Sequence, residues 1–396
     1  MSHSVKSVFP KPIYLGAATR SPIGKFGGTL KRFSAPRLAT LALKEAVSRA
    51  PGAAAPDLVV LGHARQAGAR PNPARQATIF AGFTDTTPAF TVNQACASGL
   101  CSIFMGLDQI ALGRARSVWA GGVESMSNTP YFLLEARWGY RMGHGQLVDG
   151  MYHDGFMCPM ANMVMGETVD KYLAHELNIS RLEQDAYALE SQKRATVAWK
   201  EGFFKSETFE IPADGKFLAL REDEHYRKDA TLEQLAKLPP VFDPKSGTVT
   251  AGNSSGITDG AAFVHLSDTR YDHAQAEVLD YEMVALDPRR MGLGPVPAMK
   301  KLLERHRLQV TDLEAVELNE AFAAQVLACQ RELKIPADRL NAWGGGIALG
   351  HPIGSTGTRI TVTLIHRLRG KKGALGAATL CVSGGQGVAL LLRSLW

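Results

Sequence analysis

Residues 93–122 of the chain open with NQACASGL and continue as an apolar stretch carrying Leu100, Ile103, Phe104, Leu107 and Ile110. They close with VWAGG at 118–122. Residues 344–387 follow the same plan: GGGIALGHPIGSTG, apolar runs over 360–368 and 374–380, then CVSGGQG at 381–387. In each unit a turn of small residues carries one reactive side chain and opens an apolar helix; the first is apolar almost all round, the mark of a buried helix. A short apolar strand and a glycine-rich turn follow. Two such units predict a duplicated α/β fold that presents both turns at one place.

Outward from these units, residues 8–18 predict a first strand interrupted by Pro10 and Pro12. Residues 34–50 predict a helix with Leu38, Leu41, Ala42, Ala46 and Val47 on one face, and 58–61 a buried strand. Strands alternating with helices predict a mostly parallel central sheet. The middle differs. Residues 125–247 are rich in Met, Tyr, Arg, Glu and Lys, with a charged amphipathic helix over 185–200, and TVTAGNSSGITDG at 248–260 leads back. The expected organisation is an N-terminal half of 1–124 and 248–275, an inserted loop domain of 125–247, and a C-terminal half of 276–396.

Composition narrows the functional classes. A chain of 396 residues, 45% hydrophobic and 21% charged, can bury full cores and is neither disordered nor fibrous. No apolar run reaches the ~18–20 residues of a membrane span, and the lysine-bearing start lacks the apolar segment of a secretory signal. The net charge of +6 comes from scattered Lys and Arg, which fits an anionic small ligand and makes no nucleic-acid footprint. Five cysteines form no disulfide framework in such a chain and read as reduced thiols of a cytoplasmic enzyme. None has metal-ligand spacing, so no metal is expected.

Four residues could carry chemistry. Cys96 stands at a helix start, where unpaired N–H groups and the macrodipole favour thiolate; a buried structural cysteine is the equal alternative. His351 sits among Gly344, Gly345, Gly346, Gly350, Gly354 and Gly357, a setting for a poised imidazole or for a hydrogen-bonded core histidine. No phosphate-loop lysine follows these glycines. Cys381 ends an apolar strand before flexible backbone N–H groups, as an acid/base or as a packing thiol. Asn319, in NEAFA at 319–323, would alone be an ordinary helix cap. Together, two thiols, a histidine and an amide point to acyl transfer through a thioester.

NQACASGL, AGGVESMSNTPY, TAGNSSGITDGAA, NEAFA, GGGIALGHPIGSTG and CVSGGQG stand in that order, and the chain from 12 to 392 resembles the thiolases, the acyl-CoA C-acyltransferases. The resemblance implies two similar βαβαβαββ halves in five α/β/α/β/α layers, with a loop domain inserted in the first. It implies that Cys96 takes the acyl group and that His351 activates that thiol and helps bind the second substrate's thioester oxygen. Cys381 would be the acid/base. Asn319 would hold a water that forms one oxyanion hole with His351, and the backbone N–H groups of Cys96 and Ser383 would form the other. Ser255, Phe242 and Arg227 match coenzyme A positions, and Met165, Ala321 and Phe322 join them as candidates lining the substrate site. Coenzyme A is then a substrate and no separate cofactor is implied. Family enzymes are homodimers or homotetramers.

Two departures stand out. Ser383 replaces a glycine of many members, and Val164-Met165-Gly166 replaces the His-Met-Gly usual in acetoacetyl-preferring enzymes, which leaves chain length open. Two other readings stand beside this one. A non-catalytic acyl- or lipid-binding relative need not keep all four side chains, and a decarboxylating ketosynthase would lack the second thiol.

Overall fold

A computed structural model describes residues 5–396; residues 1–4, the beginning of the stretch read as carrying no secretory signal, lie outside it. Strand β1 (Ile13–Arg20) leads to α1 (Ala35–Ser48), β2 (Leu58–His63), α2 (Pro73–Ala81), β3 (Ala89–Val92), α3 (Ser98–Ala111) and β4 (Ser117–Ser125). A long excursion follows. Its main helix, α4 (Arg181–Lys200), opens with a capping box between Ser180 and Glu183. The chain returns through β5 (Thr258–Ser267) and continues as β6 (Ala274–Ala285), α5 (Pro295–Arg305) and β7 (Leu313–Leu318). It ends with α6 (Ala323–Leu333), α7 (Ile353–Arg367), β8 (Leu375–Val382) and β9 (Gln386–Ser394).

The strands pair in the order β7-β8-β9-β6-β1-β5-β4-β2-β3. Within it, β2 and β4 are parallel, and β4, β5 and β1 follow antiparallel. The series β7, β8, β9, β6 repeats that pattern, and β1 joins β6 antiparallel. The expected mostly parallel sheet is therefore corrected: most neighbours are antiparallel. Parallel pairing needs a long crossover, which α2, α3 and α7 supply. By contrast β8 turns straight back into β9 through Gly384 (φ +85°) and Gly385 (φ +80°), a hairpin that can only be antiparallel.

Helices α3 and α7 form the central layer. Leu100, Ile103 and Phe104 of α3 and Ile360 and Leu364 of α7 share one core with Val118 and Ala120 of β4 and Ala378 and Leu380 of β8. Each of the three α3 side chains is fully buried, worth about 1.5–3 kcal/mol relative to exposure. The opposite faces of the strands pack on outer helices: Trp119 and Phe263 on α1 and α2, Ala389 and Leu391 on α5 and α6. Along β9, Val388, Leu390 and Leu392 face the central layer and the residues between them face outward, the two-residue period of a strand covered on both sides. Five α/β/α/β/α layers result.

The central helices abut at their first turns. A Cβ on Gly357 would lie 2.3 Å from the Leu100 nitrogen, and one on Gly99 would lie 2.7 Å from the Thr358 nitrogen. Both positions require glycine, and the contact brings the turn before α3 against the turn before α7.

Candidate active site

Cys96 occupies the short turn Ala95–Ala97 that runs into α3, and is 8% exposed. The preceding Ala95 has φ +46°, a left-handed conformation that costs a non-glycine residue of order 1 kcal/mol or more. Asn93 Oδ1 accepts from the Ala95 N–H (2.9 Å) and Ser98 Oγ accepts from the Gln94 N–H (3.0 Å), which fixes the turn. Two backbone N–H groups, of Ser383 and of Cys96 itself, act on the Cys96 thiol in favour of its thiolate. Burial pushes this thiol up; the Arg65 charge and the two N–H groups offset only part of that rise.

Cys381 ends β8 and is buried. Burial, then the neighbouring Cys96, holds its thiol well above the usual range. The strand of one half and the helix start of the other thus set two neutral thiols close together.

His351 precedes α7 and is 7% exposed; its N–H donates to Gly256 O (3.0 Å). Its Nδ1 is 2.6 Å from Thr356 Oγ1, and that hydroxyl donates to Pro352 O (3.0 Å). With its one hydrogen so used, Thr356 accepts from Nδ1–H, which leaves Nε2 as the unprotonated nitrogen. Burial, reinforced by the charges of Arg359 and Arg65, lowers the imidazole to about 3, so it is neutral at pH 7. Asn319 Nδ2 lies 3.4 Å from Nε2. Asn319 directly follows β7, fully buried, and the cap of α6 is Phe322. The plain helix-cap reading of Asn319 is therefore corrected: its amide faces the histidine, and its Oδ1 has no partner among the described residues.

Two carboxylates absent from the sequence reading fix these turns. Glu124, fully buried at the end of β4, accepts from Gly354 N–H (2.8 Å), Arg65 N–H (3.1 Å) and Ala64 N–H (3.3 Å), and pairs with His63 Nε2 (3.1 Å). Burial alone would raise it, but His63, Arg65 and the Gly354 N–H outweigh that and lower it. Glu320 accepts from Ser191 Oγ (2.6 Å), Tyr187 Oη (2.8 Å) and the Ile347 N–H (3.1 Å), tying the Asn319 segment to α4 and to the glycines before His351. An acidic residue beside each reactive motif was the available signal. Thr356 and Arg65 gave none.

Met165 and Ala321 are buried in one apolar cluster with Cys381, and Phe242 and Phe322 pack against it. The Phe242 ring covers Gly166, where a Cβ would lie 2.1 Å away. Phe242 also borders an open cleft of about 480 Å³ with Lys171 and His175. Ser255 donates its N–H to Ala321 O (2.9 Å). Next to it, Gly256 lies under the His225 ring. Arg227 stands apart from this cluster: it is exposed, and its backbone N–H is bound to Gln192 (2.7 Å).

Residues 13–269 match the thiolase N-terminal domain and residues 272–394 the thiolase C-terminal domain. The chain is 42% identical over 388 residues to an acetyl-CoA acetyltransferase of Escherichia coli, covering 96% of this chain and 98% of the relative. Its fold superimposes on human mitochondrial 3-ketoacyl-CoA thiolase with a TM-score of 0.93 at 38% identity, covering 97% and 99% of the two chains. The same human enzyme in complex with CoA matches with a TM-score of 0.92 at 38% identity, covering 97% and 98%. The fold and these likenesses define an acyltransferase. The chain belongs to the thiolase family.

Proposed function

We propose that the chain cleaves 3-ketoacyl-CoA with CoA, or runs the reverse Claisen condensation, by a ping-pong route through an acyl-Cys96 thioester. The observation that carries this reading is the abutment of the turn that holds Cys96 on the turn that holds His351, where the Ser383 and Cys96 N–H groups also favour the thiolate of Cys96. Donors acting on the atom that becomes acylated are suitably placed for the thioester oxygen as charge develops on it.

In the first half-reaction, His351 Nε2 takes the Cys96 proton and the thiolate attacks C3 of the ketoacyl group. The C2–C3 bond breaks, its electron pair passes to C2, and Cys381 supplies the proton that completes acetyl-CoA. The imidazolium then holds an Nε2–H toward the thioester oxygen beside an Asn319-bound water. In the second half-reaction the Cys381 thiolate takes the proton of the CoA thiol, the CoA thiolate attacks the acyl carbon, and the departing Cys96 thiolate regains its proton from the His351 imidazolium. The ring nitrogens of His351 are engaged by Thr356 and Asn319 rather than by Cys96. A base-to-thiol contact of this kind tightens when substrate binds.

Coenzyme A would run along Ser255 and Phe242 toward Arg227, with Met165, Ala321 and Phe322 against the pantetheine and acyl portions. We assign the activity to the cytoplasm, on the strength of five free thiols. We assign the active form to a homodimer or homotetramer, for which the exposed Leu134, Trp138 and Met142 offer apolar surface. Acetoacetyl-CoA plus CoA, followed at the thioester absorbance, tests the reaction: wild type should turn over and Cys96→Ala should not. Equal rates in the two would sink it.

A further inference from the structure

Arg65 is the residue beside Cys96 that the reaction above leaves without a task. Strand β2 ends against the first turn of α3: a Cβ on Gly62 would lie 2.3 Å from the Ser98 carbonyl carbon. The chain then passes Ala64, whose carbonyl accepts from Asn93 Nδ2 (3.1 Å), so Arg65 emerges next to the Cys96 turn. It is 7% exposed. Its guanidinium lies against Gly155 of the inserted region, where a Cβ would be 2.7 Å from Nε and Nη2.

No hydrogen bond or ion pair engages that guanidinium among the described residues, and Nε is buried without a partner. Other buried arginines differ. Arg20 is paired with Glu207 and Asp223, and Arg367 with Glu317. Arg359, also without hydrogen bonds, is enclosed within α7 near Glu317, Glu207 and Glu320. Glu124 is the carboxylate acting near Arg65, and its oxygens are already taken by His63 and three backbone N–H groups. A buried guanidinium without a hydrogen-bond acceptor is costly, and a planar guanidinium is shaped to take a carboxylate through two N–H groups.

We infer that Arg65 holds an anionic group on the acyl chain, and that the preferred substrates are 3-ketoacyl-CoA thioesters whose acyl end carries a carboxylate. The inference rests on the thiolase reading above. After the first half-reaction the acyl group on Cys96 bears that carboxylate, and the guanidinium fixes it while CoA enters.

The experiment compares kcat/KM for three six-carbon 3-ketoacyl-CoAs: one ending in a carboxylate, its methyl ester, and the methyl-ended chain, with acetoacetyl-CoA run beside them. A hydrogen-bonded carboxylate should give wild type a preference of about 10- to 100-fold for the acid over both neutral chains. Arg65→Leu should bring that ratio to about one, and Arg65→Lys should retain part of it. A ratio is not moved by a purely structural role, and the acid-to-ester comparison in wild type decides even if the leucine variant fails to fold. A wild-type ratio near one, or a preference that survives in Arg65→Leu, overturns the inference. Turnover of acetoacetyl-CoA with no preference for the acid removes only the Arg65 assignment, whereas no turnover of any thioester removes the thiolase reading itself.

Discussion

The backbone N–H of Ser383, on the turn between β8 and β9, favours the thiolate of Cys96 at the head of α3. One half of the chain thus supplies the thiol and the other supplies a donor that stabilises its charged form. Ser383→Pro deletes this N–H, and kcat for acetoacetyl-CoA cleavage should fall about 10²–10³-fold, the usual cost of one such donor. Ser383→Ala keeps the N–H and removes only the hydroxyl, so it sets the scale for side-chain effects. A proline variant no slower than the alanine variant would remove the N–H from the mechanism.

Thr356 holds His351 through Nδ1 at 2.6 Å, and among the described residues no other side chain engages that nitrogen. Thr356→Val is nearly isosteric but leaves a buried donor unpaired, at about 1–3 kcal/mol. It also frees the imidazole to adopt the tautomer with Nε2 protonated. The expected result is a 10- to 100-fold drop in kcat with KM changed little, and loss of the Nδ1–H signature in nitrogen NMR of the ring. An unchanged tautomer together with an unchanged kcat would dismiss the positioning role.

Glu124 gathers the ends of β2 and β4 and the turn after His351 around one carboxylate. Glu124→Gln replaces an acceptor by an NH₂ group that faces either the N–H groups of Gly354 and Ala64 or the Arg65 N–H and His63 Nε2. Unfolding stability in urea should fall by about 3 kcal/mol. Activity should fall too, because Gly354 sets where α7 and His351 begin. A loss under about 0.5 kcal/mol would mean that water replaces the carboxylate at little cost.

Much of this was legible in the sequence because duplication leaves a long-range signature: α3 is apolar almost all round, α7 is buried along its length, both are preceded by small residues, and a central layer accommodates such helices. The strand directions were misread for a local reason. Ser383-Gly384-Gly385 reads equally as a ligand-binding loop or as a hairpin, and the positive φ of both glycines decides for the hairpin. At the site, reactive side chains announce themselves by type and setting, whereas their supports do not. Thr356 is one hydroxyl among the many that line α7, and only the fold shows that it faces His351 rather than the helix backbone alone. Arg65 resembles any charged residue after a strand until its burial beside Cys96 is seen. Asn319 was ambiguous because helix caps and reactive amides share a residue type; the α6 start at Ala323 separates them.

His265 offers a test of stability away from the site. It lies on β5 between Ser117 Oγ (2.9 Å from Nε2) and His273 Nε2 (2.9 Å from Nδ1). Burial, then the His273 charge, lowers its imidazole to about 3, against about 6.5 in an unfolded chain. The unfolded state therefore binds a proton that the folded state refuses. The stability associated with this neutral ring is complete above pH 6.5 and is lost as pH falls from there toward 3. Over that window the loss approaches ~1.4 kcal/mol per pH unit for one proton. His265→Gln keeps a donor and an acceptor but cannot titrate. Urea unfolding of the variant between pH 6.5 and 4 should show a pH slope shallower than wild type by about one proton's worth. Its stability at pH 8 should be lower, because the amide fills less of the space against Trp119. If both proteins lose stability in parallel from pH 6.5 to 4, His265 is not the group whose protonation the fold resists, and the slope belongs to other buried histidines such as His366, which burial lowers to about 4.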